Sequence, residues 1–278
     1  DHGFTEGMTQ GGHAGDRGLQ IGRKTMQPIY DFVDKTQEAA QPFFIWYAPF
    51  LPHSPHNAPD RLYLKYKELA PDESTARYWA NIAWLDETCG ELMGQLKKKG
   101  VADNTLVIYL ADNGWNEYGK ASPYENGVRT PVIVHWPGKI RPRKEERRLA
   151  TNLDMAPTIL TACGVTPPAS MPGINLLDDK AVTKRDTLFL SNFAHNMVSA
   201  TEPEKSLWTR SCVHGKWKLL SWIENPPKQV PWNRGHRHKN PVANLELFDL
   251  LADPHETKNL AKKHPEVVQD LLARIDGW

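Results

Sequence analysis

Asp112 and Asn113 close an apolar run in "LVIYLADNGWNEYGK" (residues 106–120), and Lys120 follows in the same loop. An Asp carboxylate beside an Asn carbonyl oxygen is a hard-oxygen pair, suited to Ca²⁺ or Mg²⁺ rather than to a thiophilic metal. Lys120 is a compact point charge of the kind that meets a doubly bonded oxyanion such as sulfate or phosphate. Upstream, "LPHSPH" sets His53 and His56 among prolines that stiffen the backbone, so His53 could bind an anion or give a proton to a leaving oxygen. Each group has a plainer alternative. Asp-Asn-Gly favours turns, and on these residues alone a turn is the stronger reading. Taken singly, either histidine is more often a loop residue packed on aromatic neighbours, and Lys120 more often a solvated surface lysine. Arg129 in "YENGVRTP" reads as scaffold paired with Glu125, and "HRHK" at 236–239 as a basic loop rather than a metal site.

The elements that must position these groups follow from periodicity. "MQPIYDFVDKT" reads as a short helix and "PFFIWYAPF" as a buried strand bounded by prolines. Pro52, Pro55 and Pro59 exclude regular structure between them. A long helix is expected near Ser74–Lys99, with Ile82, Leu85, Cys89, Leu92 and Leu96 on one face. Asp72 and Glu73 favour its start, and Lys97–Lys99 with Gly100 its end. "NTLVIYLADN" and "TPVIVHWPG" read as buried strands, and "NLDMAPTILTACG" as a helix closed by Gly164. Such alternation argues an α/β layer with a mixed, largely parallel sheet flanked by helices. In open α/β sheets ligands sit beyond the carboxyl ends of the strands, which is where Asp112 and Asn113 lie. After about residue 195 the pattern changes. "WTRSCVHGKWKLLSW" and "ANLELFDL" alternate like antiparallel strands, and a helix near Pro265–Ile275 ends the chain. The expected division is a catalytic α/β portion at 1–195 and a smaller α+β subdomain with an antiparallel sheet at 196–278.

A formal net charge of +1 argues against an extended electrostatic grip on nucleic acid or on anionic membrane. No apolar run reaches the ~18 residues of a transmembrane helix. Cys89, Cys163 and Cys212 are widely spaced, form no C-x-x-C pair, and read as small core residues. The chain opens at Asp1 rather than at methionine, so an upstream segment is expected.

Taken in order, these segments resemble the sulfatase family of the alkaline-phosphatase-like superfamily. The resemblance rests on "APFLPHSPHNAP", "LVIYLADNG", "GKASPYENGVRTPVIVHWPG", "NLDMAPTIL" and the late "HGKWKLL … LELFDLLADPHETKNLA", and covers most of residues 30–265. It implies that Asp112 and Asn113 are two ligands of a divalent cation, Ca²⁺ with Mg²⁺ as the second choice. It implies that Lys120 contacts the sulfate group and the leaving oxygen, and that His53 binds sulfate and assists departure of the leaving group. The metal would polarise the sulfate and orient the nucleophile. The partner would be a sulfate ester, either a sulfated glycan or an aryl sulfate. Trp115, Tyr118, His195 and the 225–241 loop are candidates for lining its leaving-group side. An exported location, whether periplasmic, extracellular or lysosomal, follows from the resemblance alone.

The sequence also departs from the family pattern. The family's nucleophile is a formylglycine made from the Cys or Ser of a Cys/Ser-x-Pro-x-Arg motif; its hydrated aldehyde attacks sulfur. That motif is absent, since Cys89 lies in "ETCGEL", Cys163 in "TACGVT" and Cys212 in "RSCVHG". The paired N-terminal aspartates and a further Lys and His also find no match. The chain therefore resembles the C-terminal part of a sulfatase, beginning after roughly the first third. Two oxygen ligands are too few for Ca²⁺, which takes about six to eight. Missing strands would expose sheet edges and an apolar face, so this chain alone is expected to be inactive and poorly soluble. Two other readings compete. A phosphodiesterase, phosphatase or phosphonate hydrolase of the same superfamily would usually carry Asp-His where this chain has Asp112-Asn113. A non-catalytic relative that binds sulfated glycans would have little reason to keep His53, Lys120, Asp112 and Asn113 together.

Overall fold

The computed structural model of the chain describes residues 3–7, 19–114, 119–120, 122–145, 148–194, 198–224 and 244–278. It divides into two compact units, Asp1–Thr105 and Leu106–Trp278. Among the described residues no helix is long and apolar enough to cross a membrane.

The first unit is helical. Helix α1 (Gln27–Glu38) carries Pro28 in its first turn and buries Tyr30, Val33 and Thr36, three residues apart along one stripe. Helix α2 (Asp60–Tyr66) sinks Leu62 completely. Helix α3 (Glu73–Lys98) is capped by Asp72, whose carboxylate accepts from the Thr75 amide at 2.8 Å and the Thr75 hydroxyl at 3.0 Å. Lys97 and Lys98 meet the negative end of its dipole, and Gly100 at φ 72 turns the chain away. The expected apolar face is partly right. Leu85 and Leu96 are buried, and the stripe is completed by Ala76, Ala80, Asn81 and Thr88, while Ile82, Cys89 and Leu92 are half-buried.

Residues 42–50, expected as a buried strand, run without a ladder, and Phe44 and Trp46 are 53% and 73% exposed. A strand is buried only where neighbours complete its hydrogen bonds and cover both faces. Here only alternate side chains find cover: Tyr47 donates to Thr88 Oγ1 at 3.4 Å, while Phe44 meets Phe4 at a ring separation of 6.1 Å.

The second unit holds both described sheets. Strand β1 (Val107–Leu110) pairs with β2 (Val132–His135), and Leu110 lies opposite Val132. The pairing is antiparallel, whereas the strand–helix alternation leads to a parallel one. The connection is consistent with this: among the described residues between β1 and β2 the only helix is the four-residue α4 (Glu125–Val128), and no long crossover helix is present. Neither strand is sealed, since Leu110 and Ile133 are 39% and 57% exposed.

Helix α5 (Met155–Ala162) ends at Gly164, φ 74, as its sequence implies. Cys163, expected in the core, is exposed at this terminus, and the short helix α6 (Asp179–Lys184) follows. The four-stranded antiparallel sheet runs β3 (Thr187–Phe193), β4 (Leu207–His214), β5 (Trp217–Trp222) and β6 (Leu245–Asp249) in order. Its first strand therefore precedes residue 195. Helix α7 (Pro265–Asp276) lays Val268, Leu271 and Ile275 against Cys212, Leu219 and Leu247, which is the main apolar core of this unit. Buried Asp154 accepts two hydrogen bonds from Arg185, at 2.6 and 2.7 Å, and one each from the Thr151 and Ile174 amides. That pair fixes the chain between α5 and the sheet.

Candidate functional site

His53 sits on an exposed loop whose backbone is clamped from beneath. Asn81, fully buried on α3, lies with Nδ2 within 3.3–3.4 Å of the Pro52, His53 and Pro55 carbonyl oxygens, while its Oδ1 accepts from the Ala58 amide at 3.1 Å. Arg23 grips the same turn from the other side. It donates to the His53 carbonyl at 2.8 Å, the Pro55 carbonyl at 2.9 Å and Asn57 Oδ1 at 2.6 Å. Burial lowers the Arg23 pKa, and its guanidinium lies 5.9 Å from the Trp84 ring centre. With carbonyls so consumed, the loop has one well-defined course and the imidazole is aimed by it. His53 Nδ1 lies 2.9 Å from the Ser54 carbonyl oxygen and 3.2 Å from Ser54 Oγ, so in either tautomer Ser54 engages Nδ1. His56 differs: it packs on Tyr78 at 5.4 Å, and burial, with His53 and Arg23 nearby, lowers its pKa.

Arg23 and Asn81 were not foreseen as supports. Asn81 carries a signal, because it falls beside Ala80 and one turn from Leu85 on the buried stripe, where an amide needs several partners. Arg23 carries none. A cavity of about 330 Å³ lies beside it, lined among others by Tyr30, Arg61, Trp84, Glu87 and Glu91, and contains none of the residues singled out from sequence.

In the second unit, Asp112 is exposed, Asn113 half-buried and Lys120 exposed. Their loop is built from glycines packed without side chains between them. The Gly114 amide donates to the Gly127 carbonyl at 2.7 Å. A Cβ at Gly114 would fall 1.8 Å from the Asn126 carbonyl oxygen. One at Gly119 would fall 2.6 Å from that oxygen and 2.8 Å from the Gly114 carbonyl oxygen, and one at Gly127 2.3 Å from the Gly119 carbonyl oxygen. Gly114 and Gly119 thus lie against α4 together, which brings the chain at their immediate neighbours, Asn113 and Lys120, close in space. Asn113 donates from Nδ2 to the Gly114 carbonyl at 2.9 Å.

Arg129 is exposed and does not take the expected role beside Glu125. The Glu125 partner is Lys218, 3.0 Å away and 93 residues along the chain. Lys218 is wholly buried and also meets Glu256 Oε1 at 2.9 Å. Desolvation outweighs this attraction at Glu256 and pushes its carboxyl above the usual range. Trp115, Tyr118, His195, the 225–241 loop and "HRHK" lie outside the described residues.

Among the described residues no three His, Cys, Asp or Glu side chains gather as a metal cage. Asp112 and Asn113 nevertheless fit a share of a hard-cation site in their chemistry: an exposed carboxylate stands next in the chain to an amide whose nitrogen is engaged by the Gly114 carbonyl.

Comparison with known proteins identifies the family. A sulfatase family model matches residues 9–165, and a model described as N-sulphoglucosamine sulphohydrolase, C-terminal, matches residues 112–277. N-acetylgalactosamine-6-O-sulfatase of Bacteroides thetaiotaomicron is 31% identical over 228 residues, which cover 70% of this chain and 40% of that protein. Endo-4-O-sulfatase of the same bacterium is 26% identical over 278 aligned residues, covering 86% of this chain and 51% of that one. The crystal structure of Ps i-CgsB in complex with k-i-k-neocarrahexaose superposes with a TM-score of 0.71 at 22% identity, over 91% of this chain and 53% of that one. The chain spans about half the length of the curated relatives it matches. Its fold is the alkaline-phosphatase-like fold of its structural neighbours. With the sulfatase model matching more than half of its residues, the chain belongs to the sulfatase family.

Proposed function

We propose that this chain forms part of a sulfuric ester hydrolase, in which Asp112 and Asn113 are two oxygen ligands of a Ca²⁺ ion and Lys120 and His53 act on the sulfate ester. The observation that carries the reading is the glycine-packed loop, in which Gly114 and Gly119, the chain neighbours of Asn113 and Lys120, lie against the same Asn126 carbonyl in a chain of the sulfatase family. Mg²⁺ is the second choice, and either cation would supply Lewis-acid polarisation of the ester sulfate when bound. Lys120 would offset negative charge on the sulfate oxygens and on the leaving oxygen. His53, with Nδ1 turned to the Ser54 carbonyl, would deliver a proton from Nε2 to the leaving group. The remaining ligands and a formylglycine nucleophile would come from a segment beyond these 278 residues, so the chain alone would be inactive. Asn113, where phosphodiesterase relatives usually carry histidine, favours sulfate over phosphate esters. The names of the relatives, an N-acetylgalactosamine-6-O-sulfatase and an endo-4-O-sulfatase, favour a sulfated glycan over an aryl sulfate as the substrate class.

The first test is to sequence the encoding DNA for about 200 codons upstream of Asp1, a span set by the half-length match to relatives. A Cys or Ser in x-Pro-x-Arg context is expected there, with paired aspartates near the start. The longer protein should release sulfate from sulfated N-acetylgalactosamine and lose that activity to a chelator. Lys120→Ala should lower its kcat by roughly 10²-fold, the usual cost of one charge-stabilising group. Robust metal-dependent hydrolysis by the purified 278-residue chain, or a nucleophile position without Cys or Ser, refutes the reading.

A further inference from the structure

We propose that the buried cluster of Lys218, Glu125 and Glu256 is a positioning device, through which the C-terminal sheet fixes the loop that carries Asn113 and Lys120. The inference rests on the functional reading for what the loop does, and on geometry alone for how the loop is held. As a source of stability the cluster is a poor choice, because burying a lysine with two carboxylates costs about as much as the attraction returns. Its position is more informative. Lys218 is on β5, and Glu256 is in the turn after β6, at φ 53, a left-handed conformation that a glutamate adopts only under external constraint. Both converge on Glu125, the first residue of α4. Glu256 Oε2 also accepts from the Glu125 amide at 2.6 Å, so one carboxylate holds the start of that helix through its backbone.

A second tie runs in parallel. Tyr124, the N-cap residue of α4, donates its hydroxyl to Glu246 Oε2 at 2.8 Å, and Trp222 Nε1 donates to the same oxygen at 2.8 Å. Glu246 on β6 is 1% exposed. Four residues cannot hold a helix in place by themselves. The place of α4 is therefore set by these contacts with β5, β6 and the following turn. Its other end presses the Asn126 carbonyl and Gly127 against Gly114 and Gly119. The links from the sheet to Gly114 and Gly119, the neighbours of Asn113 and Lys120, are thus hydrogen bonds, ion pairs and close backbone contacts. The antiparallel sheet, which contributes no residue to the proposed chemistry, sets where that chemistry happens.

The test is site-resolved amide hydrogen exchange on the 278-residue chain, so it does not depend on catalysis. The probes are the Gly114 amide, bonded to the Gly127 carbonyl, and the Ser122 amide, bonded to the Gly119 carbonyl at 3.0 Å. Lys218→Met should speed exchange at both at least about tenfold, well beyond any change at β4 and β5 amides. Lys216→Met, which removes a surface pair with Asp249 from the same sheet, should leave both probes unchanged. If Lys218→Met does not fold, Tyr124→Phe removes a single hydrogen bond and should speed the same probes about threefold. Uniform acceleration across the unit, or none at Gly114 and Ser122, overturns the proposal. In the longer active protein, Tyr124→Phe should lower kcat and weaken metal binding with little change in KM. An inactive wild type would sink the functional reading and leave the exchange result standing.

Discussion

The His53 loop and the Asn113–Lys120 loop are held by opposite means. Around His53, two side chains from elsewhere in the first unit, Arg23 and Asn81, occupy a row of backbone carbonyls. Around Asn113 and Lys120, backbone lies directly on backbone, and the role of the side chains at Gly114, Gly119 and Gly127 is to be absent. A loop clamped by side chains should weaken by steps as polar atoms are removed. A loop packed glycine on carbonyl has no intermediate state, because the first added carbon has nowhere to go.

The largest effect expected from breaking this contrast is Gly114→Ala. Its Cβ would sit 1.8 Å from a carbonyl oxygen of the main chain, so α4 or the loop must move. A loss of about 3 kcal/mol or more in urea unfolding is expected, with the Gly114–Gly127 hydrogen bond opened. Near-native stability would mean that the glycine contacts are not a constraint. Asn81→Leu should come next. It strips the Ala58 amide and three carbonyls of a fully buried partner, at roughly 2–4 kcal/mol, while the four-stranded sheet keeps its exchange protection. Equal loss of protection in both units would contradict their separate support.

What was legible in the sequence follows the same line. Helices α1, α3 and α7, the Asp72 cap and strands β4, β5 and β6 all lie close to where periodicity puts them, because each carries its own buried stripe and its own stop signal. Asp112, Asn113 and Lys120 stood out because their chemistry is unusual after an apolar strand. Residues 42–50 misled, since an apolar run states a demand for cover and not whether the cover is there. Lys218 could not be found at all. A lysine in "HGKWKLL" reads as a solvent-facing strand position, and its carboxylate partners lie 93 and 38 residues away. Glu125 was assigned to the nearby Arg129 for the same reason: sequence distance stands in for space, and here the sheet brings a remote cation closer.

The cysteines give the finest measure of how cover differs along the chain. Cys89 on α3 is half-buried, Cys163 is exposed, and Cys212 is wholly buried, with Sγ 3.7 Å from the Leu271 carbonyl. Burial raises the Cys89 thiol pKa, and it pushes the Cys212 thiol up to about 11. Thiolate is the form that alkylates, so at pH 8 iodoacetamide should label Cys163 first, Cys89 more slowly, and Cys212 only after unfolding. The sign for stability follows from the same shift. The folded-state pKa of Cys212 lies above the ordinary 9.0, so its contribution is intact below pH 9 and is lost as the pH rises through about 11. Urea midpoints of the wild type should fall across that window, and Cys212→Ala should flatten this alkaline arm at a modest cost in neutral stability. Labelling of Cys212 at the rate of Cys163 in the folded chain would show that α7 does not seal the sheet, and the sheet could not then serve as the fixed base from which α4 is held.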